Sequence, residues 1–324
     1  MRYTHVYVEK GAYPYPLTQR ILSAAEGSRI IEIDHYKDVF DRPRQDFLFQ
    51  KDNPALILAV RNGAKIYKGA PVCQSFGQRN FYYASSVMNC PFDCAYCYLK
   101  GMYPSAYTVI FVNFEDYEKE VNGYLAQGPM YVCASYDTDL IALNSLTGLA
   151  DRWCDLAEEH EDLLVELRTK AAPPGLRAVS NVIYAFTISP EEVASKFEKG
   201  APRAEDRIRS VSRAIDSGCR VRLCFDPMIK VPGWEDIYGR FIEDIAAKID
   251  LTRVTDVSVG TFRISGDYLN SMRRRLPGNE IAWYPYIVKD GVAQYAEEDD
   301  KKMQALMCGL LKEHIGREKI FTWN

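Results

Sequence analysis

The chain has 324 residues, enough for one large domain or two ordinary ones, which excludes a small scaffold stapled by disulfides or a metal. Hydrophobic residues make up 47% and charged residues 26%, values typical of folded globular proteins, so disorder, collagen-like repeats and coiled coils are excluded as well. The formal net charge is -4, which means that any nucleic-acid site has to be a local basic patch.

The cysteine count indicates the redox compartment. Nine cysteines, an odd number, follow an N-terminus without an apolar signal segment. No run approaches the roughly 18 apolar residues of a membrane span. We therefore expect a reduced, cytoplasmic protein with no membrane partner.

Residues 1–80 predict a small N-terminal α+β domain. Strands are expected at residues 6–8, 30–33 and 56–60, around one helix at residues 17–25.

Residues 81–275 predict repeated βα units with parallel strands, and therefore an α/β fold. Expected strands lie at residues 81–87, 107–112, 130–136, 163–168, 182–188, 220–225 and 254–261. Expected helices lie at residues 151–161, 190–199, 204–217 and 234–249. Six or seven such units predict a partial or complete barrel.

Residues 276–324 predict a β-hairpin, a terminal helix from about residue 298 and a short end strand, and we expect the hairpin and helix to pack on the barrel. The hairpin is expected over residues 281–288 and 292–295, with Asp290-Gly291 at its turn, because that dipeptide favours tight hairpin turns.

A cysteine cluster in the loop after the predicted strand at residues 81–87 indicates a metal centre. Cys90, Cys94 and Cys97 form a C-x3-C-x2-C pattern without a fourth cysteine nearby, and the four histidines are distant in sequence. Structural zinc requires a fourth ligand. Three thiolates on a 4Fe-4S cluster leave one iron open to a substrate or cofactor. The alternative is three buried cysteines without a function.

The strand pattern places polar side chains on the inner face of the predicted barrel. Apolar residues at alternate positions suit the helices outside, and the opposite face carries charged and polar groups. The predicted inward residues are Glu166, Arg168, Lys170, Ser189, Arg222, Cys224 and Asp226. They suit a charged cofactor, or they are ion pairs that only fill the interior.

The cysteine spacing, with an aromatic residue before the last cysteine, resembles the radical S-adenosylmethionine (SAM) enzymes. Residues 73–78, residues 89–99 and Arg168-Thr169-Lys170 resemble the spore photoproduct lyase family, and the likeness covers most of the chain. The resemblance implies a partial (βα)6-type radical SAM barrel. It implies a 4Fe-4S cluster on Cys90, Cys94 and Cys97, with SAM on the open iron.

The family repairs 5-thyminyl-5,6-dihydrothymine in ultraviolet-damaged DNA. The resemblance implies a carbon-carbon lyase that uses a 5'-deoxyadenosyl radical, returns two thymines and regenerates SAM. It also implies that Tyr96 and Tyr98 relay a radical and that Thr138, Lys170 and Ser189 contact SAM. Tyr96 has an alternative role as a packing aromatic beside the cluster.

The hydrogen donor departs from the family pattern. Many members have a cysteine where this chain has Tyr136, within Ala134-Ser135-Tyr136-Asp137-Thr138-Asp139. Cys133 is expected on the opposite strand face from Tyr136, which makes it a poor substitute. Cys73 resembles a cysteine that takes the donor role in one branch of the family. We therefore expect Cys73 to donate hydrogen and Tyr136 to line the site or relay the radical; the alternative is a small buried cysteine.

A lesion inside duplex DNA has to leave the base stack to reach a buried cluster. Trp283, Tyr284 and Tyr286 offer stacking surface as a wedge, and the run Arg273-Arg274-Arg275 offers charge for phosphates as a clamp, with Lys289 adding to the basic patch. The arginines have an alternative role as a helix end stabilised by its dipole.

The expected electron donor is of the flavodoxin or ferredoxin type.

Two other functions fit the same residues. One is a radical SAM enzyme acting on another nucleic acid or on a small molecule. The other is a nucleic-acid-binding protein with a structural or redox-sensing iron-sulfur cluster.

Overall fold

The structure is a computed structural model that describes residues 3–70 and 73–323. Its strands are β1 (His5–Glu9), β2 (Arg29–Ile33), β3 (Ala55–Ala59), β4 (Ile66–Lys68), β5 (Phe81–Ala84), β6 (Val87–Met88), β7 (Asp93–Cys94), β8 (Thr108–Phe111), β9 (Met130–Cys133), β10 (Leu163–Thr169), β11 (Val182–Thr187), β12 (Glu198–Lys199), β13 (Arg220–Met228), β14 (Asp256–Thr261), β15 (Arg263–Ser265), β16 (Ile287–Lys289), β17 (Val292–Gln294) and β18 (Ile320–Thr322).

Helices connect most of these strands; the bounds of the six predicted helices agree to within a few residues, and the other helices had no predicted bounds. They are α1 (Pro16–Ala24), α2 (Lys37–Phe40), α3 (Phe47–Asp52), α4 (Leu99–Met102), α5 (Phe114–Leu125), α6 (Leu140–Thr147), α7 (Leu149–Glu159), α8 (Glu191–Phe197), α9 (Ala204–Asp216), α10 (Trp234–Lys248), α11 (Gly266–Arg275) and α12 (Glu297–Leu311).

The N-terminal sheet has the strand order β2-β1-β3-β8-β6 within the described residues. Strands β2, β1, β3 and β8 are parallel, and β6 runs antiparallel to β8. Every residue of β3 is buried, as expected for the centre of a parallel sheet covered on both faces. The predicted strands of this region are confirmed.

The predicted domain boundary at residue 80 does not separate the sheets. Strands β6 and β8 lie beyond it and belong to the N-terminal sheet, whereas β4 lies before it and belongs to the second sheet. The strand expected at residues 107–112 is therefore not part of the predicted barrel. Hydrophobic alternation identifies a strand but not the sheet that it joins, because both sheets demand the same local pattern.

The second sheet has the order β18-β14-β13-β11-β10-β9-β5-β4 in the described part of the chain. Strands β5, β9, β10, β11, β13, β14 and β18 are parallel, and β4 pairs antiparallel with β5 at one edge. Parallel strands place their carboxyl ends at the same edge, which is where α/β proteins carry their sites. The predicted α/β class with parallel strands is confirmed.

The C-terminal segment packs on this sheet and also adds a strand to it. Its strand β18 pairs with β14, and its helix α12 packs against β14 and α10. The hairpin strands β16 and β17 join β15 in a separate three-stranded sheet. The predicted boundary at residue 275 therefore cuts through the second sheet and through the three-stranded sheet.

The predicted hairpin strand at residues 281–286 is wrong, because strand structure begins only at Ile287. The side chain of Asn279 accepts hydrogen bonds from the backbone of Ile281 and Ala282, and Pro285 has no N–H to donate to a ladder. The predicted turn at Asp290-Gly291 is confirmed, with both residues at positive φ. No helix within the described residues is long and apolar enough to cross a membrane.

Candidate active site

The cysteine loop leaves the N-terminal sheet after β6 and returns to it at β8. Asn89 begins the loop at a φ of 69°, a backbone region that asparagine tolerates better than most residues. Its side-chain amide donates to the carbonyls of Ser105 and Tyr107, at 2.8 Å in each case, and so ties the two ends of the loop together. This closure fixes the base from which all three cysteines extend.

The middle of the loop is held by a distant part of the chain. Strand β7 pairs antiparallel with β12, so that Cys94 lies opposite Glu198 and Asp93 opposite Lys199. Asp93 also forms an ion pair with Lys100 at 2.8 Å. The shape of the loop therefore depends on the end of helix α8 as well as on the loop's own sequence.

All three cysteines of the loop are free thiols, with Cys94 buried and Cys90 and Cys97 half-buried. Burial, together with the charges of its neighbours, raises the pKa of Cys90 well above its ordinary value. Burial likewise raises the pKa of Cys94 to about 12, an increase that the Lys170 ammonium opposes. Three thiolates in this pocket need a positive partner, which a metal cluster supplies.

No three His, Cys, Asp or Glu side chains of the described residues converge as the ligands of a single metal ion. A 4Fe-4S cluster makes a different demand, because its thiolates bind separate irons. Nearby, the hydroxyl of Thr138 is buried and has no hydrogen-bond partner within the part of the chain that the structure describes. Buried hydroxyls are normally satisfied, so this one fits a polar ligand such as SAM.

Tyr96 lies between two of the cysteines and is buried. Its hydroxyl donates a short hydrogen bond to Glu198, which also accepts one from Ser189 at 3.0 Å. Glu198 forms a fully buried ion pair with Arg207. The Lys170 ammonium lies 5.3 Å from the centre of the Tyr96 ring. The structure thus brings three predicted site residues, Tyr96, Lys170 and Ser189, around one carboxylate.

Sequence reasoning missed both Glu198 and Arg207. Glu198 follows a short amphipathic helix, where a charged residue is ordinarily solvated, and Arg207 lies on helix α9 among other charged residues. Burial opposes ionisation of Glu198, but the charges of Lys170 and Arg207 hold its pKa below the ordinary value. No local pattern in the sequence distinguishes these two residues from surface charges.

The loop after β9 is fastened to the end of β10 through Asp139. Its carboxylate caps helix α6 by accepting from Ala142 N, and it also accepts from the Thr169 hydroxyl at 2.8 Å and from Lys170 N at 2.7 Å. These bonds place Thr138 and Lys170 in neighbouring positions, as the predicted SAM site requires.

The remaining predicted residues form a contiguous group. The Tyr98 hydroxyl donates to the carbonyl of Tyr136 at 2.6 Å, and the two rings lie 6.0 Å apart. The sulfur of Cys73 lies 3.5 Å from the Tyr136 hydroxyl. Tyr83, which sequence analysis did not select, stacks on Tyr136 at 4.3 Å. The structure therefore brings Cys73, Tyr136 and Tyr98 together in that order.

The expectation that Cys133 faces away from Tyr136 rested on a strand continuing through both residues, and that premise is wrong. Strand β9 ends at Cys133, and a turn follows. The Cys133 thiol is buried and lies 3.7 Å from Glu166 on the inner face of the sheet. Its partner is therefore an inner-face carboxylate rather than Tyr136.

The inner face of the second sheet carries the charged residues that the strand pattern predicted there, and they form a network of ion pairs, which was the alternative to a site for a charged cofactor. Arg222 pairs with Glu166 and, through two hydrogen bonds, with Asp256. Arg168 pairs with Asp226 at 3.3 Å and with Glu166 at 3.2 Å. Although burial opposes ionisation, Arg168 and Arg222 lower the pKa of Glu166 to about 2. Most predicted inward residues therefore hold one another, and Lys170 and Ser189 lie nearer the cysteine loop.

The predicted DNA clamp is only partly available at the surface. Arg275 donates to the carbonyls of Lys100 and Tyr103 and so anchors helix α11 to α4. Arg273 donates to the Ala282 carbonyl at 2.7 Å. Arg274 is exposed and bonds within its own helix to Ser271. Two of the three arginines therefore have structural partners.

The three aromatic residues of the predicted wedge also differ in how exposed they are. Tyr284 and Tyr286 are half-buried and pack on Tyr295, with ring centres 5.0 and 5.3 Å away. Trp283 is 56% exposed, and one face of its ring lies against Arg273. Ile287 and Val288 are also exposed. The accessible stacking surface is therefore Trp283 rather than the tyrosines.

Comparisons with known proteins identify the family and the fold. A curated relative, the spore photoproduct lyase of Bacillus subtilis (strain 168), is 24% identical over 265 residues, which are 75% of this chain and 73% of the relative. A cysteine-to-alanine variant of spore photoproduct lyase superposes with a TM-score of 0.85 at 18% identity, over 99% of this chain and 98% of that one.

A second solved variant of spore photoproduct lyase contains bound AdoMet and dinucleoside spore photoproduct. It superposes with a TM-score of 0.82 at 18% identity, over 99% of this chain and 98% of that one. At these identities, structural likeness establishes the fold. The family model described as spore photoproduct lyase matches residues 2–273, and the chain therefore belongs to the spore photoproduct lyase family.

Proposed function

We propose that this chain reverses spore photoproduct, 5-thyminyl-5,6-dihydrothymine, to two thymines in ultraviolet-damaged DNA. The observation that carries the proposal is the continuous group of Cys73, Tyr136 and Tyr98 beside a three-cysteine loop. Family membership supports the same reaction. So does the solved relative that contains dinucleoside spore photoproduct.

Cys90, Cys94 and Cys97 would hold a 4Fe-4S cluster, and Thr138, Lys170 and Ser189 would contact SAM. When bound, these cofactors supply the 5'-deoxyadenosyl radical that removes hydrogen from C6 of the lesion. The Lys170 ammonium lies against the Tyr96 ring and suits a polar part of SAM. Thr138 contributes a hydroxyl that has no other partner among the described residues.

Cys73 would donate the hydrogen atom that the thymine radical needs after the bridging carbon bond breaks. The sulfur–hydrogen bond of Cys73 breaks, a carbon–hydrogen bond forms on thymine, and a sulfur radical remains. Tyr136 lies in contact with that sulfur and can return a hydrogen atom to it from its hydroxyl. The radical left on Tyr136 is adjacent to Tyr98, which continues the relay towards the cluster loop.

The sheet topology supports a finer description of the fold. Strands β5, β9, β10, β11, β13 and β14 would form a partial (βα)6-type radical SAM barrel, with the N-terminal sheet holding the cluster loop. Residues 276–324 would contact DNA through the exposed Trp283, and the exposed Arg274 at the end of α11 would add a phosphate contact. A one-electron carrier of the flavodoxin or ferredoxin type would reduce the cluster.

The test is anaerobic reconstitution with iron and sulfide, followed by incubation with reductant, SAM and a dinucleotide spore photoproduct. Chromatography would follow thymidylyl-thymidine and 5'-deoxyadenosine. We expect lesion reversal with little net consumption of SAM. Production of 5'-deoxyadenosine without reversal would retain the radical chemistry but assign another substrate. A cluster that does not bind SAM would instead indicate a structural or redox-sensing role.

A further inference from the structure

The loop that carries Cys73 is braced against the C-terminal strand of the protein. The Gln74 side chain donates to the carbonyl of Thr322 at 2.9 Å, across 248 positions of sequence. The same amide accepts from the backbone N–H of Phe76 at 3.2 Å. One side chain therefore fixes both the internal turn of the loop and its attachment to β18.

Phe76 provides a second attachment on the inner face of the sheet. It is buried and has a φ of 51°, a conformation that is unfavourable for a bulky residue. Its ring lies on the guanidinium of Arg222, 3.3 Å from the ring centre, and meets Phe321 edge-on at 5.3 Å. Backbone strain of this kind persists only where the surroundings hold the residue firmly.

The partners of Phe76 are themselves fixed. Arg222 is held by Asp256 and Glu166, so its guanidinium forms a rigid platform. Strand β18 pairs with Val257–Val259 of β14. The next residue, Trp323, packs over Gly260 and donates to Asp226 at 3.1 Å. Neither attachment of the Cys73 loop can move without disturbing the sheet.

We propose that Gln74, Phe76 and strand β18 are positioning elements that hold the Cys73 thiol at the thymine radical and at Tyr136. The proposal rests on the donor role proposed above for Cys73. Transfer of a hydrogen atom requires the two heavy atoms to be in near contact, and a displacement of about 1 Å can cost on the order of 100-fold in rate. Without these attachments, the loop would not fix the distance from the Cys73 sulfur to the thymine radical and to Tyr136.

The principal variant is Gln74→Ala, which removes the attachment to Thr322. Gln74→Glu keeps an acceptor for the Phe76 N–H but loses the donor to Thr322, so we expect the same defect. Phe76→Leu retains an apolar side chain while removing the aromatic contacts with Arg222 and Phe321. The matched control is Gln127→Ala, because Gln127 is exposed and its side-chain amide donates to the carbonyl of Gly123 at its own helix end.

The first measurement is the amount of correct thymine product formed per 5'-deoxyadenosine. We expect this ratio to fall roughly tenfold in the Gln74 variants, because less thymine forms and less 5'-deoxyadenosine is converted back to SAM, while the rate of lesion consumption stays near that of the unmodified protein. Damage to the whole fold would instead lower the rate of lesion consumption. A ratio equal to that of the control variant would overturn the proposal.

The second measurement needs no cluster, SAM or lesion. Alkylation of Cys73 by iodoacetamide is followed by peptide mass spectrometry in the cluster-free protein, with Cys308 on helix α12 as the internal reference. We expect Cys73 to react several-fold faster in Gln74→Ala and Cys308 to be unchanged. Unchanged Cys73 reactivity would mean that the hydrogen bond from Gln74 to Thr322 does not position the Cys73 loop.

A parallel Cys73→Ala reaction separates the two proposals. If that variant still forms clean thymine, the donor role fails and the positioning role fails with it. If Cys73→Ala loses clean product but the Gln74 and Phe76 variants keep it, the donor role holds and only the positioning role is overturned.

Discussion

The sulfur of Cys73 and the phenolic oxygen of Tyr136 lie 3.5 Å apart, although 63 positions separate them in sequence. By the resemblance described above, Tyr136 corresponds to the position at which many family members have a cysteine. The contact therefore places a thiol next to that position from another loop. In the proposed mechanism, Cys73 is the hydrogen donor and Tyr136 is the relay.

Replacing Cys73 with alanine removes the proposed hydrogen donor. We expect the variant to consume lesion but to give aberrant products and to recover little SAM. The reaction is best run in deuterium oxide, because a thiol exchanges its hydrogen with solvent. The unmodified protein should then place one deuterium in the repaired thymine.

Cys308→Ala is the matched control, since this cysteine is half-buried on helix α12. Clean, deuterium-labelled thymine from Cys73→Ala would mean that another residue donates, with Cys133 as the next thiol to replace.

Tyr136→Phe keeps the ring that stacks on Tyr83 but removes the hydroxyl that touches Cys73. We expect correct thymine to form while the amount of SAM consumed per repaired lesion rises, because the sulfur radical loses its nearest hydrogen source. Chromatographic counting of 5'-deoxyadenosine against repaired dinucleotide measures this ratio. An unchanged ratio would restrict Tyr136 to lining the site.

Glu198→Gln leaves the Arg207 guanidinium buried without its ionic partner. The expected loss in free energy of unfolding is roughly 3–5 kcal/mol, typical of breaking a buried pair from one side. Urea denaturation of the cluster-free protein measures it. The double variant Glu198→Gln with Arg207→Met should recover much of the loss, and strictly additive losses would contradict the pairing.

The arginines of helix α11 should separate into two classes. Arg274→Ala is expected to weaken binding of lesion-containing duplex and to reduce the salt slope by about 1, with stability unchanged. Arg275→Ala removes a donor to the Lys100 and Tyr103 carbonyls and should lower the free energy of unfolding by about 1–3 kcal/mol. Equal effects of the two variants on the salt slope would contradict this division.

Acid should weaken the inner-face network through Glu166. Its folded pKa of about 2 lies below the ordinary 4.5, so its stabilising contribution is complete above pH 4.5 and is lost as the pH falls to 2. The difference in unfolding free energy between the unmodified protein and Glu166→Gln should shrink by roughly 3 kcal/mol across that range. A difference that does not change with pH would mean that Glu166 is not held ionised by Arg168 and Arg222.

The inner-face residues were predictable because strands have a strict period of two. In β10 and β13 that period places Glu166, Arg168, Arg222 and Asp226 on one face, where the structure pairs them. The cysteine loop was predictable for another reason, since its three ligands are close together in sequence.

Other parts of the site depend on contacts between distant residues. Glu198 reaches Tyr96 because β12 pairs with β7, and no local sequence pattern predicts that pairing. The expectation for Cys133 assumed a strand that continues to Tyr136, whereas β9 ends at Cys133 and a turn carries Tyr136 towards Cys73. The hairpin was placed too early because the Asn279 side chain and Pro285 outweigh the strand preference of the aromatic residues near them.

The cysteine loop begins at β6 and ends at β8, and both strands belong to the N-terminal sheet. A fragment starting at residue 81 would retain all three cysteines but lose β1, β2 and β3. Of these strands, β3 is the one that pairs with β8, and β1 pairs with β3. Deletion or protease trimming of the first 80 residues should therefore abolish cluster assembly without touching a ligand. We therefore expect the smallest unit able to build an iron-sulfur centre in this protein to include the N-terminal sheet.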